Sequence, residues 1–265
     1  MNLLNDQYFQ KSHFLIPIWR KSRKKIIEHI GTGWLASFNE VGYIITAAHV
    51  LDALSDADGY IFAVDKFLPI SNTIIIKSKL AGSISERKDD PVDIGAIVMN
   101  TETFTHLSEK AIIINLKENA QALDEDYLDV SSLCRIIGFP ETLNKKQWEK
   151  FFHKRENFST HLISIVSTIS NRIFPSMKNF SNEYHIAVDF YFKDVSDASG
   201  KKITPPKMNG ISGGLVFEST TKGSLASGMI IEYNHQEKVF VAIKMQAILE
   251  WFQIHIKKIN PIHSN

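Results

Sequence analysis

Short runs rich in β-branched and aromatic residues recur along the chain, separated by segments that contain Gly, Asn, Asp, Ser or Pro. Runs of this composition predict β-strands. The first set comprises Phe14–Trp19, Gly33–Phe38, Tyr43–Thr46, Tyr60–Val64, Thr73–Leu80 and Ile94–Met99. The second set comprises Leu133–Phe139, Leu162–Ile169, Tyr184–Phe192, Leu215–Glu218, Leu225–Ile231 and Val239–Ile243. We therefore expect an all-β protein with two six-stranded antiparallel β-barrels.

An acidic stretch, Glu118–Asp129, lies between the two sets and has the composition of an exposed linker. It divides the chain into an N-terminal barrel over residues 1–120 and a C-terminal barrel over residues 121–265. After the last predicted strand, apolar residues recur near helical spacing, at Ile248, Leu249, Phe252 and Ile256. This pattern predicts a C-terminal amphipathic helix that docks on the second barrel.

Charge and cysteine usage exclude several classes of protein. The 30 Lys and Arg residues balance 29 Asp and Glu residues, so no overall field attracts nucleic acid or an anionic membrane. The only cysteine, Cys134, excludes an internal disulfide and lies in an apolar run, where we expect a core residue. Neither a signal peptide nor a membrane-spanning run is evident. We expect a cytoplasmic protein without a cleaved leader, a metal or a cofactor.

A stretch of mixed basic and aromatic residues, Asn144–Arg155, has two interpretations. It has the residue types of a nucleic-acid patch. It also has Trp148, Phe151 and Phe152 on one helical face, which favours a solvated amphipathic insertion.

The segment Met208–Phe217 places a serine among glycines just before an apolar run. Glycines permit backbone angles closed to other residues and let backbone N–H groups face a substrate. If Ser212 is a nucleophile, the N–H groups of Gly210 and Ser212 are natural donors for an oxyanion hole. A Gly-rich β-turn without chemistry is the alternative. A serine hydroxyl also needs a general base, and the base needs an orienting group.

His49 has the setting expected of such a base. It follows an apolar strand and two alanines, at the start of a short helical segment. The small alanines leave room for the imidazole, although a histidine among apolar residues is often structural.

The orienting acid is expected among Asp89, Asp90 and Asp93. Asp93 directly precedes the apolar run Ile94–Val98, and a carboxylate at a strand entry is sheltered enough to hold a histidine ring N–H. A solvated turn is the alternative for this carboxylate.

Taken together, Thr46–His49, Asp93–Ile97 and Gly210–Gly214 resemble the motifs of the trypsin-like serine peptidases, in the same order. Gly31–Phe38 resembles the family's strand before the histidine, and Ile137–Pro140 resembles the Gly-Tyr-Pro of bacterial members. The resemblance implies a chymotrypsin-like double barrel that hydrolyses peptide bonds with His49, Asp93 and Ser212 as its triad. It also implies a protein or peptide substrate.

The sequence departs from this family beside the nucleophile. Many members carry an Asp there that pairs with a new N-terminus, but this chain has Ile211. We therefore expect an oxyanion hole that forms conditionally, with an activating protein partner.

By the same resemblance, the floor of the specificity pocket falls near Pro206 and its wall at Met229, Ile230, Ile231 and Glu232. The apolar members of that wall favour an uncharged residue before the scissile bond. An inward-pointing Glu232 would reverse this preference.

Two other functions compete with a trypsin-like peptidase. An α/β-hydrolase would use Gly210–Gly214 as its nucleophile elbow, but that fold needs a helix directly after the serine. A trypsin-like domain that only binds peptides, or a pseudoprotease, remains open from the sequence.

Overall fold

A computed structural model describes residues 14–21, 26–55, 57–63, 66–70, 73–79, 90–125, 133–145, 160–174, 176–177, 179–220 and 223–256. The first sheet holds β1 (Leu15–Lys21), β2 (Ile27–Phe38), β3 (Val41–Ala47), β4 (Asp58–Ala63), β5 (Lys66–Pro69), β6 (Ile74–Lys77), β7 (Ile94–Val98) and β8 (Ile114–Asn115). The second holds β9 (Leu133–Gly138), β10 (Ile163–Thr168), β11 (His185–Asp189), β12 (Val195–Asp197), β13 (Leu215–Thr220), β14 (Gly223–Asn234) and β15 (Val239–Lys244). The helices are α1 (Ala48–Asp52), α2 (Thr101–Ser108), α3 (Leu116–Glu125), α4 (Glu141–Asn144) and α5 (Met245–Ile256).

The strand order is β5-β4-β1-β2-β3-β7-β6 in the first sheet and β11-β15-β14-β13-β9-β10-β12 in the second. All neighbours in these orders are antiparallel, and β8 pairs in parallel with β2. The expected all-β class with two antiparallel half-barrels and a C-terminal helix is confirmed.

All twelve predicted runs overlap strands, but the sheets have eight and seven strands where six each were expected. The additional strands are β5, β8 and β12, which are only four, two and three residues long. Strands this short have no alternating pattern that a sequence reading can detect.

The stretch expected to be an exposed linker is largely helix α3. Its Leu116 and Ala120 are buried in a core that both sheets share. Asn119 also bonds to Ala226 of β14 through both its amide nitrogen, at 2.7 Å, and its amide oxygen, at 3.2 Å. The acidic composition reflects only the exposed face of a helix that joins the barrels. Residues 126–132 lie outside the described part of the chain.

Helix α5 packs on the second barrel, where the sequence placed it, and on the first barrel as well. Phe252 is fully buried, and its ring lies 5.7 Å from that of Phe38 and 5.0 Å from that of Tyr43, both in the first sheet. The helix also contacts α3, β14 and β15. No described helix has both the length and the apolar character needed to cross a membrane.

The expected solvated insertion begins with a residue that is fully buried. Asn144 donates to Pro140 O at 2.8 Å and to His161 O at 3.0 Å, and it accepts from His161 N at 2.8 Å. These bonds join the chain on either side of residues 146–159. Trp148, Phe151 and Phe152 fall among those residues, outside the described part of the chain.

Candidate active site

His49 lies at the junction of β3 and α1, where the chain passes from a buried strand to the rim of the cavity. Ala47 and Ala48 are fully buried, while the His49 side chain is 40% exposed. Gly95 of β7 passes directly beneath this junction, because a Cβ there would lie 2.6 Å from Leu51 Cδ1. The small residues around His49 thus seat α1 on the sheet and leave the ring facing outward.

Both oxygens of the Asp93 carboxylate point at His49. Oδ2 lies 2.6 Å from the ring nitrogen Nδ1, and Oδ1 accepts from the backbone N–H of His49 at 3.0 Å. The backbone oxygen of Asp93 also accepts from Ala48 N at 2.9 Å. Asp93 adopts φ +46°, a left-handed conformation that Asp tolerates better than most residues. Three bonds therefore set the position of the ring relative to the acid.

Asp90 has a different role from Asp93. Its carboxylate accepts from Ser78 Oγ at 2.5 Å and from Val92 N at 3.1 Å, so it shapes the turn before β7. Asp89 lies outside the described residues. Of the three acids considered from the sequence, Asp93 is the one that contacts the His49 ring through its carboxylate in the described part of the chain.

Ser212 lies in the turn before β13, on the opposite wall of the same cavity. His49, Asp93 and Ser212 all line this cavity of about 600 Å³ between the two sheets. The Ser212 hydroxyl donates to Ile231 O at 3.4 Å. That distance is long for an O–H···O bond, so the hydroxyl is weakly held and rotates at little cost.

The glycines of the serine turn are required by its geometry. Gly213 has φ +87°, and a Cβ there would lie 1.7 Å from Thr32 O. Gly210 has φ +84°, with the ring of His29 2.9 Å from where its Cβ would be. Within the described part of the chain, no hydrogen bond forms from the backbone N–H of Gly210 or of Ser212. Two donors are thus available beside the Ser212 hydroxyl.

The four residues of the predicted substrate wall divide between the cavity and the core. Ile231 and Glu232 line the cavity, and Glu232 is exposed. Met229 and Ile230 do not, because both are fully buried in the core. The register of β14 against β15 shifts between Ile230 and Glu232, and this irregularity changes which side chains face the cavity.

The expected pocket floor also differs. Pro206 is absent from the described lining of the cavity, where Met208 and Val241 lie instead. Tyr233 contributes a phenol to the same wall, and burial raises its pKa.

His185 is a site residue that the sequence reading missed. It is buried on β11, its Nε2 lies 2.5 Å from Pro91 O, and its Nδ1 accepts from Ser181 N at 3.1 Å. Burial lowers the pKa of His185, which favours the neutral ring that these two bonds require. The residue thereby ties the second sheet to the loop that carries Asp93. No motif around it in the sequence indicates this role.

Two curled antiparallel sheets with a cavity at their junction define the chymotrypsin-like fold. No protein-family model matches the sequence, and no curated protein matches it. A thermostable serine protease, AL20, from an extremophilic microorganism superposes with a TM-score of 0.52 at 12% identity, covering 93% of this chain and 97% of that one. The serine protease domain of the Sesbania mosaic virus polyprotein gives a TM-score of 0.49 at 14% identity, covering 90% of this chain and 91% of that one. At 12% identity, the likeness to AL20 is one of fold.

Proposed function

We propose that this chain is a serine endopeptidase of the bacterial trypsin-like type, with Ser212 as nucleophile, His49 as general base and Asp93 as orienting acid. The observation that carries the proposal is the short contact between Asp93 Oδ2 and His49 Nδ1, at 2.6 Å, in the cavity that Ser212 also lines. This contact places the ring proton on Nδ1 and leaves the lone pair of Nε2 available as a base.

The reaction follows from these positions. The Ser212 hydroxyl turns from Ile231 O toward His49 Nε2, transfers its proton there and attacks the carbonyl carbon of the peptide. The negative oxygen that forms accepts from the N–H groups of Gly210 and Ser212. His49 Nε2–H then protonates the leaving amine, the C–N bond breaks, and an acyl-enzyme on Ser212 remains. Water adds to this ester with His49 again as base, releases the acid and restores the hydroxyl.

The lining of the cavity supports a preference for an uncharged residue before the scissile bond. Met208, Ile231 and Val241 offer apolar surface, and Glu232 on the same lining is an exposed side chain. A buried Lys or Arg would leave its charge unpaired against this surface. The single cysteine fits a reducing compartment such as the cytoplasm.

The test is covalent labelling with a fluorophosphonate probe, followed by peptide mapping of the intact chain. We expect one adduct, on Ser212, and none in Ser212→Ala or after prior denaturation. A peptide library then reports the residue before the cleaved bond, with apolar residues favoured over Lys and Arg.

A peptide-binding module without catalysis is the remaining alternative, because its cavity would look the same. Absence of labelling with any phosphonate, together with saturable binding of library peptides, would establish it. The α/β-hydrolase alternative is wrong, because the fold is all-β and strand β13 follows the Ser212 turn.

A further inference from the structure

We propose that Thr32, on β2 of the first sheet, is a positioning residue that holds the oxyanion loop, Met208–Gly214, in its working shape without a partner. The inference rests on the proposed function and concerns its regulation. Thr32 is fully buried and 178 residues away in sequence from the loop carbonyl that its hydroxyl contacts.

Thr32 makes two hydrogen bonds to the loop from the first sheet. Its hydroxyl donates to Gly210 O at 3.0 Å, and its backbone N–H donates to Ser212 O at 2.8 Å. The two carbonyls flank Ile211, so both ends of the short segment that carries the oxyanion donors are held against the first sheet.

Two further carbonyls of the loop, those of Asn209 and Ile211, are also engaged. Asn209 O accepts from Glu141 N at 2.6 Å, and Ile211 O accepts from Gly214 N at 2.8 Å. In a trans peptide the C=O and N–H point in opposite directions. Because these two carbonyls are held by the protein, the N–H groups that share their peptides, those of Gly210 and Ser212, point the other way.

The Thr32 hydroxyl also connects the bonds that Thr32 makes to the loop with the bond that Glu141 makes to it. Its oxygen accepts from Phe139 N at 3.0 Å while its proton goes to Gly210 O. Phe139 is two residues before Glu141, whose N–H holds Asn209 O. One hydroxyl therefore ties the loop to the segment that orients the first oxyanion donor.

Thr32 is itself held in place by its neighbours. Thr46 Oγ1 donates to Thr32 O at 2.6 Å, and Gly213 passes so close to that oxygen that no side chain fits. Beside the nucleophile, Ile211 is 1% exposed and belongs to the apolar core. Packing of Ile211 thus holds the loop without a charged residue at this position. The oxyanion hole is then preformed, whereas the sequence led us to expect one that forms conditionally.

The first experiment compares Thr32→Val, which keeps the shape but loses the hydroxyl, with Thr32→Ser, which keeps it. Thr73→Val is the matched control, since the Thr73 hydroxyl donates to Ile70 O away from the active site. We expect Thr32→Val to lower kcat about 10- to 100-fold with KM within about 3-fold, because the donors act mainly on the transition state. Thr32→Ser and the control should stay within about 3-fold of wild type. Wild-type kcat in Thr32→Val, or an equal loss in Thr32→Ser, overturns the proposal.

A second variant covers the case in which Thr32→Val does not fold. Glu141→Pro replaces the N–H that holds Asn209 O by a ring CH₂, which displaces that oxygen. The first residue of a helix accepts proline, and Pro140 before it has the extended ψ of 138° that proline requires. We expect a folded protein with kcat lowered by a similar factor. A folded Glu141→Pro protein with wild-type kcat contradicts the preformed loop.

A readout without catalysis separates this inference from the proposed function. Amide ¹⁵N–¹H spectra of the full chain report Gly210 and Ser212 directly. We expect both signals to shift in Thr32→Val and to be unchanged in Thr73→Val. If wild type is inert to the phosphonate and the signals still shift, the proposed function fails and the positioning role stands. If wild type is active and neither signal nor kcat changes, the positioning role fails alone.

Discussion

Replacement of Asp93 by Asn tests the orienting contact with almost no change of shape. The Asp93 carboxylate faces two donors, the backbone N–H of His49 and its ring Nδ1. An amide has one oxygen, so one of these nitrogens must face an NH₂ group. If the oxygen keeps the backbone N–H, Nδ1 becomes an acceptor and the ring proton moves to Nε2, where it blocks proton transfer from Ser212.

The size of the effect follows from the distance between the charges. With Nδ1 and Oδ2 2.6 Å apart, Coulomb's law at an effective dielectric constant of about 20 gives an attraction of about 6 kcal/mol for the imidazolium. The His49 side chain is 40% exposed, so solvent screening lowers this to about 4 to 5 kcal/mol. At about 1.4 kcal/mol per factor of ten, kcat should fall roughly 10³- to 10⁴-fold.

The assay is the second-order rate of phosphonate labelling at Ser212, together with kcat on the best library peptide. Asp90→Asn is the matched control, because its carboxylate shapes the neighbouring turn and faces Ser78 and Val92. Asp90→Asn should lower the midpoint of thermal unfolding more than it lowers kcat. A folded Asp93→Asn protein within tenfold of wild-type activity, or a greater loss in Asp90→Asn, would refute the assignment of the acid.

Three further changes test the fold around the site. Gly213→Ala should lower the unfolding free energy by about 4 kcal/mol or more, since its Cβ would lie 1.7 Å from a backbone oxygen. Gly200 also has positive φ, +81°, but has open space around it, so Gly200→Ala should lower the unfolding free energy by only about 1 to 2 kcal/mol. Urea titrations measure both values. Burial lowers the pKa of His29 from 6.5 to about 3, so the unfolded chain binds the proton first as the pH falls. Unfolding free energy should drop by about 2 kcal/mol between pH 6.5 and 5, and this part of the slope should vanish in His29→Leu. Phe252→Ala should lower the unfolding free energy by about 3 to 5 kcal/mol, because Phe252 is fully buried. Ile254 is exposed, so Ile254→Ala should lower it by less than about 0.5 kcal/mol. Equal losses would contradict the docking of α5 on both barrels.

Properties that depend on neighbouring residues were predictable from the sequence. Strand runs such as Tyr43–Thr46 are recognisable because burial and strand propensity act along a few successive residues. The small residues before His49 and the glycines around Ser212 were recognisable as local motifs. The positive φ of Gly210 and Gly213 is a need of their own turn, although the oxygen that lies against Gly213 belongs to Thr32 in the other barrel. The structure places His49, Asp93 and Ser212 on one cavity.

Other features depended on contacts between distant parts of the chain. The acidic run near Glu118 has linker composition, yet the packing of Leu116 and Ala120 makes it a helix. Alternation along β14 does not predict that Met229 and Ile230 are both buried, because each face of the strand is covered by a different apolar cluster.

The anchors of the oxyanion loop show the difference most clearly. The need for glycine at Gly210 and Gly213 is local, because a turn with positive φ favours glycine. Which groups hold that turn is not, because the donors to its carbonyls include Thr32 in the other barrel and Glu141 in a separate helix. Hydrogen bonds between residues so far apart leave no periodicity in the sequence. Local sequence thus determined the strands and the chemical groups of the site, and tertiary packing alone decided their orientation.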